Sequence, residues 1–216
     1  MDRSRRPWYG LAGELMWSAS LNLYELLTLG RHGWWWKLHQ GMHRHFRGLN
    51  PDAQVRELRG DDPGSLAYGE TPAVSTLRML QLSGLPKGSR LVDLGSGRGM
   101  VALVAAAVGY PSVGIEFFES FVERARLLAR EMKVPAEFVC GDFLEAPLPE
   151  GDLYLVPATA YPESVRVPLE ERLRRLPRGT RVITQDWLLG KKFQCLGSVR
   201  LPVTWGTALF TFYERG

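Results

Sequence analysis

Cysteine is scarce, with Cys140 and Cys195 the only two in 216 residues. Two thiols are too few for a disulfide framework or a structural zinc site, and no segment has the make-up of a secretory signal, so a reducing, cytoplasmic setting is expected. Long apolar runs are missing as well. Glu14 and Glu25 bracket the most apolar stretch, Leu15 to Tyr24, which is shorter than the roughly 18 residues a membrane-spanning helix needs, so no stable membrane insertion is expected. A strong charge of one sign is also lacking. The formal net charge is +4; residues 1–60 hold nine Lys/Arg against five Asp/Glu, and the remainder holds eighteen of each. That small excess points only weakly to an acidic partner. Internal repeats and low-complexity segments are absent.

What is there divides at about residue 66. Residues 1–66 read as an N-terminal helical extension and 67–216 as a cofactor-binding domain; the first sixty residues carry all four histidines and five of the seven tryptophans. An amphipathic helix is expected over 11–29, ending at Gly30, and a second through Trp34-Trp35-Trp36 to near Gly48. The tryptophans are expected to pack on the rest of the chain or on a second subunit in a homo-oligomer, with an interfacial membrane helix as the alternative. His39 and His43 share a helix face with His45 nearby, but no cysteine or acid completes a ligand set, and no metal is expected.

From residue 72 helices and strands alternate, the signature of a parallel sheet covered by helices. A helix is predicted over Pro72 to Leu82. Strands are predicted at Arg90–Leu94, Ser112–Glu116, Glu137–Cys140, Leu153–Val156 and Arg181–Thr184, with helices near 99–108, 119–132 and 163–176. Runs 197–205 and 207–213 read as a closing antiparallel pair. The fold class is α/β: a Rossmann-like seven-stranded sheet, parallel with a C-terminal antiparallel hairpin.

The chemistry concentrates after the first strand, in Asp93-Leu94-Gly95-Ser96-Gly97-Arg98-Gly99. Gly95, Gly97 and Gly99 let the backbone approach a ligand and start a helix close behind it, with Ser96 in the same turn. Asp93 sharpens the reading, because a carboxylate there repels a dinucleotide pyrophosphate but attracts the ammonium of S-adenosyl-L-methionine. Glu116, followed by Phe117, ends the second strand about twenty residues on, where an acid can accept ribose hydroxyls. Asp142 and Phe143 follow the third strand, placing an acceptor and a ring beside an adenine.

These residues resemble the seven-strand methyltransferases. Tyr68-Gly69-Glu70-Thr71 and Gly141-Asp142-Phe143 further resemble the disruptor-of-telomeric-silencing family of protein-lysine methyltransferases, over residues 68 to about 213. The smaller mitochondrial and prokaryotic protein-lysine methyltransferases look similar too. The resemblance implies that Tyr68, Glu70 and Thr71 lie in a loop over the cofactor, that Asp142 and Phe143 hold the adenine, and that Val203-Thr204-Trp205 supplies a tryptophan wall to a lysine channel. It departs after the fourth strand, where Val156-Pro157-Ala158-Thr159-Ala160-Tyr161 replaces a pair of asparagines and an aromatic segment. Tyr161 and Trp205 are the channel candidates, with Thr159 orienting the amine. Protein-lysine N-methylation is the reading that follows. A methyltransferase acting on a small molecule or RNA is the first alternative, and a non-catalytic module on the cofactor fold is the second.

Overall fold

The computed structural model describes residues 10–49, 69–158 and 161–216. Helices α1 (Gly10–Leu29) and α2 (Gly33–His45) precede α3 (Ala73–Leu82), β1 (Leu91–Leu94), α4 (Met100–Ala107), β2 (Ser112–Glu116), α5 (Glu119–Met132) and β3 (Ala136–Cys140). Then come β4 (Leu153–Val156), α6 (Glu163–Leu173), β5 (Arg181–Gln185), β6 (Phe193–Val203) and β7 (Gly206–Arg215).

All seven strands join one sheet in the order β3-β2-β1-β4-β5-β7-β6. Strands β1 to β5 pair in parallel, and β7 runs antiparallel to both β5 and β6. Strands β1 and β4 are buried along their whole length, which is why they read as continuous apolar runs rather than alternating ones. The chain winds from β1 through β2 to β3 on one side and then crosses to β4 on the other. The connections leaving β1 and β4 therefore diverge and open a crevice at the carboxyl ends of the strands.

Alternate residues face opposite layers. Leu91, Leu153, Leu155 and Ile183 pack with Met79 and Leu80 of α3 and Val101 and Ala105 of α4. Val92, Leu94 and Val156 pack with Leu169 and Leu173 of α6. The N-terminal helices join the first layer: Leu29, Trp35, Leu38, Met42 and Phe46 share a core with Leu103, Phe121 and Leu128. His45 and Arg44 tie α2 to Glu131 of α5, with His45 Nε2 2.7 Å from the carboxylate.

The differences from the sequence reading have local causes. Pro72 is the N-cap of α3, with an extended ψ of 164°, instead of its first helical residue. Helix α6 stops at Leu173, short of 176. The hairpin strands extend beyond 197–205 and 207–213 because ladder pairing continues through polar residues such as Gln194 opposite Glu214, with a register shift between Cys195 and Gly197. Helix α1 departs most. Its body-facing side carries Glu25, 4 % exposed, which accepts the Val74 N–H at 2.9 Å and lies 3.3 Å from His39 Nε2. Leu29 joins the core, but four large apolar residues of the helix face outward: Leu15, Met16, Leu23 and Leu27 are all more than half exposed.

Candidate active site

The crevice at the end of β1 is a cavity of about 360 Å³. Gly95, at φ +85°, turns the chain away from the strand, and an added Cβ there would meet the Tyr161 hydroxyl. Gly95 and Ser96 both donate N–H to the Ile115 carbonyl, at 2.9 and 3.0 Å, so the turn is held on β2. Gly99 caps α4 at φ +83°, and a Cβ there would lie 2.6 Å from the Phe138 ring. These two glycines make possible a tight turn that leads directly into a helix.

Two carboxylates are buried at the floor. Asp93 is 2 % exposed, and burial, reinforced by the nearby charge of Glu116, pushes its pKa up to about 7. Glu116 is also raised by burial, opposed by the backbone N–H groups it accepts. One of its oxygens accepts Gly97 N–H at 2.7 Å and the other Phe118 N–H at 3.0 Å. A carboxylate offers about four lone-pair sites, so acceptor capacity remains for hydroxyl donors.

The walls are apolar. Met100, Val101, Leu144, Leu155, Pro157 and Val165 line the cavity, and no Lys or Arg does so among the described residues. The Phe143 ring stacks on Tyr161 with centroids 5.6 Å apart and 27° between planes. Asp142 Oδ1 accepts Leu144 N–H at 2.7 Å, which fixes the carboxylate beside Phe143. Phe117 stands at the mouth, 54 % exposed. The Tyr161 hydroxyl donates to the Leu94 carbonyl at 3.2 Å. Burial first, then the charges of Glu116 and Asp93, raise its pKa well above the ordinary phenol value, so this residue stays neutral and cannot serve as a base.

A loop closes the cavity from the α3 side. Glu70 receives a bidentate hydrogen bond from Arg98, 2.6 Å from Nε and closer still from Nη2. The backbone of Glu70 is paired with the β6–β7 turn: Thr204 N–H donates to the Glu70 carbonyl at 3.1 Å, and Glu70 N–H donates to Thr204 Oγ1 at 3.0 Å. Trp205 lies behind Gly69, where any Cβ would run into its indole. Thr71 is buried and lines the cavity.

The predicted cofactor residues Glu70, Thr71, Asp93, Gly95, Ser96, Gly97, Glu116, Phe117, Asp142 and Phe143 all line this one cavity, and Tyr161 joins them. Gly99 supports the turn from behind. Trp205 is partly buried and packs behind the loop against the core that holds Leu201 and Phe210, and is not on the described wall of the cavity. Tyr68 and Thr159 lie outside the described residues. Sequence reasoning missed the Arg98–Glu70 pair and the Thr204 bridge, which join segments 28 and 134 residues apart; no local pattern signals such pairs. The apolar wall from Met100, Phe118 and Phe121 was hidden because those residues also serve the helix periodicity of α4 and α5.

The residues suit S-adenosylmethionine on the chemistry of the donor set. The floor offers acceptors for an ammonium and for hydroxyls, a flat ring stands near Asp142 for a base, and the described wall holds no cation for a phosphate. Ser96 Oγ is buried against Gly114 of β2 without a hydrogen-bond partner.

Comparison with known proteins agrees with this geometry. The family model described as "Histone methylation protein DOT1" matches residues 52–199. Among solved structures, the chain is similar to an RNA methyltransferase from Salinibacter ruber in complex with S-adenosyl-L-homocysteine: 31 % identity, 68 % of this chain, 93 % of that chain and a TM-score of 0.58. It is similar in fold to TrmN from Thermus thermophilus, at 21 % identity, 67 % of this chain, 49 % of that chain and a TM-score of 0.58. It is similar in fold also to magnesium protoporphyrin IX methyltransferase from Synechocystis PCC 6803 with bound S-adenosylmethionine, at 16 % identity, 79 % of this chain, 99 % of that chain and a TM-score of 0.56. No curated protein matches.

Proposed function

The chain belongs to the family of the histone methylation protein DOT1 and is an S-adenosylmethionine-dependent methyltransferase; we propose that the methyl group goes to the side-chain amine of a protein lysine. The observation that carries this reading is Tyr161, a partly buried neutral phenol beside an apolar wall in the segment that follows β4. An alkylammonium that enters such a wall loses hydration, which favours its neutral, nucleophilic form.

The cofactor supplies a methyl carbon already activated by a sulfonium, so the protein need only bind, align and exclude water. Asp93 accepts the ammonium of the methionine portion, and the spare lone pairs of Glu116 accept the ribose hydroxyls. Asp142 accepts the adenine amino group, and Phe143 covers the base. Glu70 and Thr71 close the site, and Tyr68 is assigned to the cofactor with them. Tyr161 walls the amine, Thr159 orients it, and the proton lost by the amine leaves to water. Trp205 acts through Gly69, holding the loop in place. In this reading residues 1–66 form the helical extension and 67–216 the methyltransferase domain.

The solved structure at 31 % identity is described as an RNA methyltransferase, which makes RNA the second acceptor class. Against it stand the even charge of residues 61–216, with eighteen Lys/Arg and eighteen Asp/Glu, and a described cavity wall without a cation. RNA binding draws its affinity chiefly from such charges. The test is transfer of labelled methyl into a cell lysate, followed by protease or nuclease. Protease-sensitive label that resolves by mass spectrometry to N-methyl-lysine is the expected result; nuclease-sensitive label would move the assignment to RNA.

A further inference from the structure

Helix α1 buries Glu25 and, apart from Leu29 at its end, leaves most of its large described apolar side chains facing outward, the reverse of a helix that ends at water. Glu25 is turned inward onto Val74 N–H and His39, and Trp17 Nε1 donates to the Val203 carbonyl at 2.8 Å. On the outer side stand Leu15 and Met16, each 71 % exposed, Leu23 at 55 % and Leu27 at 76 %. At about 100° per residue these positions, with Tyr24, cover an arc of roughly 180°. Large exposed apolar areas mark binding surfaces. Beside them a shallow depression of about 340 Å³ is lined by Asn22, Leu23, Leu26, Trp35, Trp36 and His39, wide open to the outside.

We propose that the outer face of α1, with the adjoining edge of α2, docks on an anionic lipid bilayer, α1 lying in the plane of the interface. Charge favours this occupant. Residues 1–49 hold seven Lys/Arg and three Asp/Glu, and one of the three, Glu25, faces the protein body. Arg31 and Lys37 are exposed where α1 ends and α2 begins, placed to meet headgroup phosphates at the edge of the apolar face. Tyr24 and Trp36, 54 % and 45 % exposed, are the amphipathic rings that settle at a membrane interface. The breadth of the apolar arc favours a bilayer over a second copy, because helix-to-helix pairing uses a narrow seam flanked by charges. Among the described residues no helix is long and apolar enough to cross a membrane, so the contact is peripheral.

The proposal rests on exposure and charge, not on the identity of the acceptor. Trp17 and Glu25 tie α1 to the β6–β7 hairpin and to α3, the elements that hold the Gly69–Thr71 loop. Docking therefore sets the cofactor cavity close to the lipid surface and to acceptors resident there.

Sedimentation of the full chain with vesicles tests this, using phosphatidylcholine alone against equal parts phosphatidylcholine and phosphatidylglycerol. The chain should pellet with the anionic vesicles only, and less as salt rises. The L23E/L27E double variant should bind at least about tenfold more weakly, and R31S/K37S about fivefold more weakly per charge at low salt. Leu188→Glu, at a residue 69 % exposed in the loop between β5 and β6, should bind as the parent does. S-adenosylhomocysteine affinity should be unchanged in all three, which reports that they fold. No pelleting with anionic vesicles, or pelleting indifferent to L23E/L27E, would overturn the proposal. A concentration-dependent dimer that L23E/L27E dissolves, without lipid binding, would overturn it too and assign the face to a second copy.

Discussion

Asp93 concentrates the electrostatics of the site. An unfolded aspartate titrates near 4, while burial and Glu116 hold this one at about 7 in the fold. The sign follows. Between those values the folded chain carries the proton and the unfolded chain does not, so Asp93 stabilises the ligand-free fold at low pH and loses that contribution as pH rises through about 7. A cationic ligand reverses the preference, since it demands the carboxylate. Calorimetry with S-adenosylmethionine in buffers of different ionisation enthalpy should therefore show release of close to one proton at pH about 6, fading above about 8; buffer-independent heats at the lower pH would contradict it. Asp93→Asn should weaken cofactor binding by about ten- to a hundredfold while raising the melting temperature of the ligand-free protein at alkaline pH, a split that misfolding does not produce. Tyr161 invites a second substitution. Because the phenol is held neutral, Tyr161→Phe should keep turnover within about tenfold, losing only a hydrogen bond to the Leu94 carbonyl. Tyr161→Ala, which removes the wall, should lose far more. Abolished turnover in the phenylalanine variant would make the hydroxyl a participant.

At the level of elements, the cofactor turn between β1 and α4 is coupled to the β6–β7 hairpin through a loop of three residues. Arg98 grips the Glu70 carboxylate from the glycine turn, and Thr204 pairs with the Glu70 backbone from the hairpin. The indole of Trp205 fills the space a side chain at position 69 would need. Gly69→Ala should therefore lift the loop and weaken cofactor binding by about tenfold or more, at the cost overpacking carries. G69A/W205L should recover part of that loss, because the smaller side chain makes room. An absence of rescue in titrations of the double variant would mean that Trp205 does not act through Gly69.

The whole molecule is one layered sheet in which the N-terminal helices complete a face. Leu38 of α2 is fully buried with Phe121 and Leu128 of α5, so Leu38→Ala should cost about 2–5 kcal/mol of stability in urea unfolding. A loss below about 1 kcal/mol would show that α2 is only loosely attached, since surface changes stay in that range. The cavity, the loop and the hairpin all lie toward the carboxyl ends of the strands, where the β1–β4 order reversal opens the sheet.

Much of this was legible in the residues alone. Asp93, Glu116 and Asp142 close three successive strands, and the turn that begins at Gly95 separates the first from its helix. Those patterns are local, with a period and a spacing, so the strands and the fold class could be read, and most of the residues that line the cavity singled out, before any contact was known. The hairpin could be read as well, short of its true length, because its outer ladder runs through polar residues. What only the tertiary structure decided lies between distant segments. The grip of Arg98 on Glu70, the indole behind Gly69 and the Tyr161 phenol kept neutral among buried carboxylates have no spacing to betray them. Neither has the orientation of α1, whose leucines by pattern alone belong to a core. A helix shows which residues share a side; which side meets the protein is settled by where a single buried acid, Glu25, finds its hydrogen bonds.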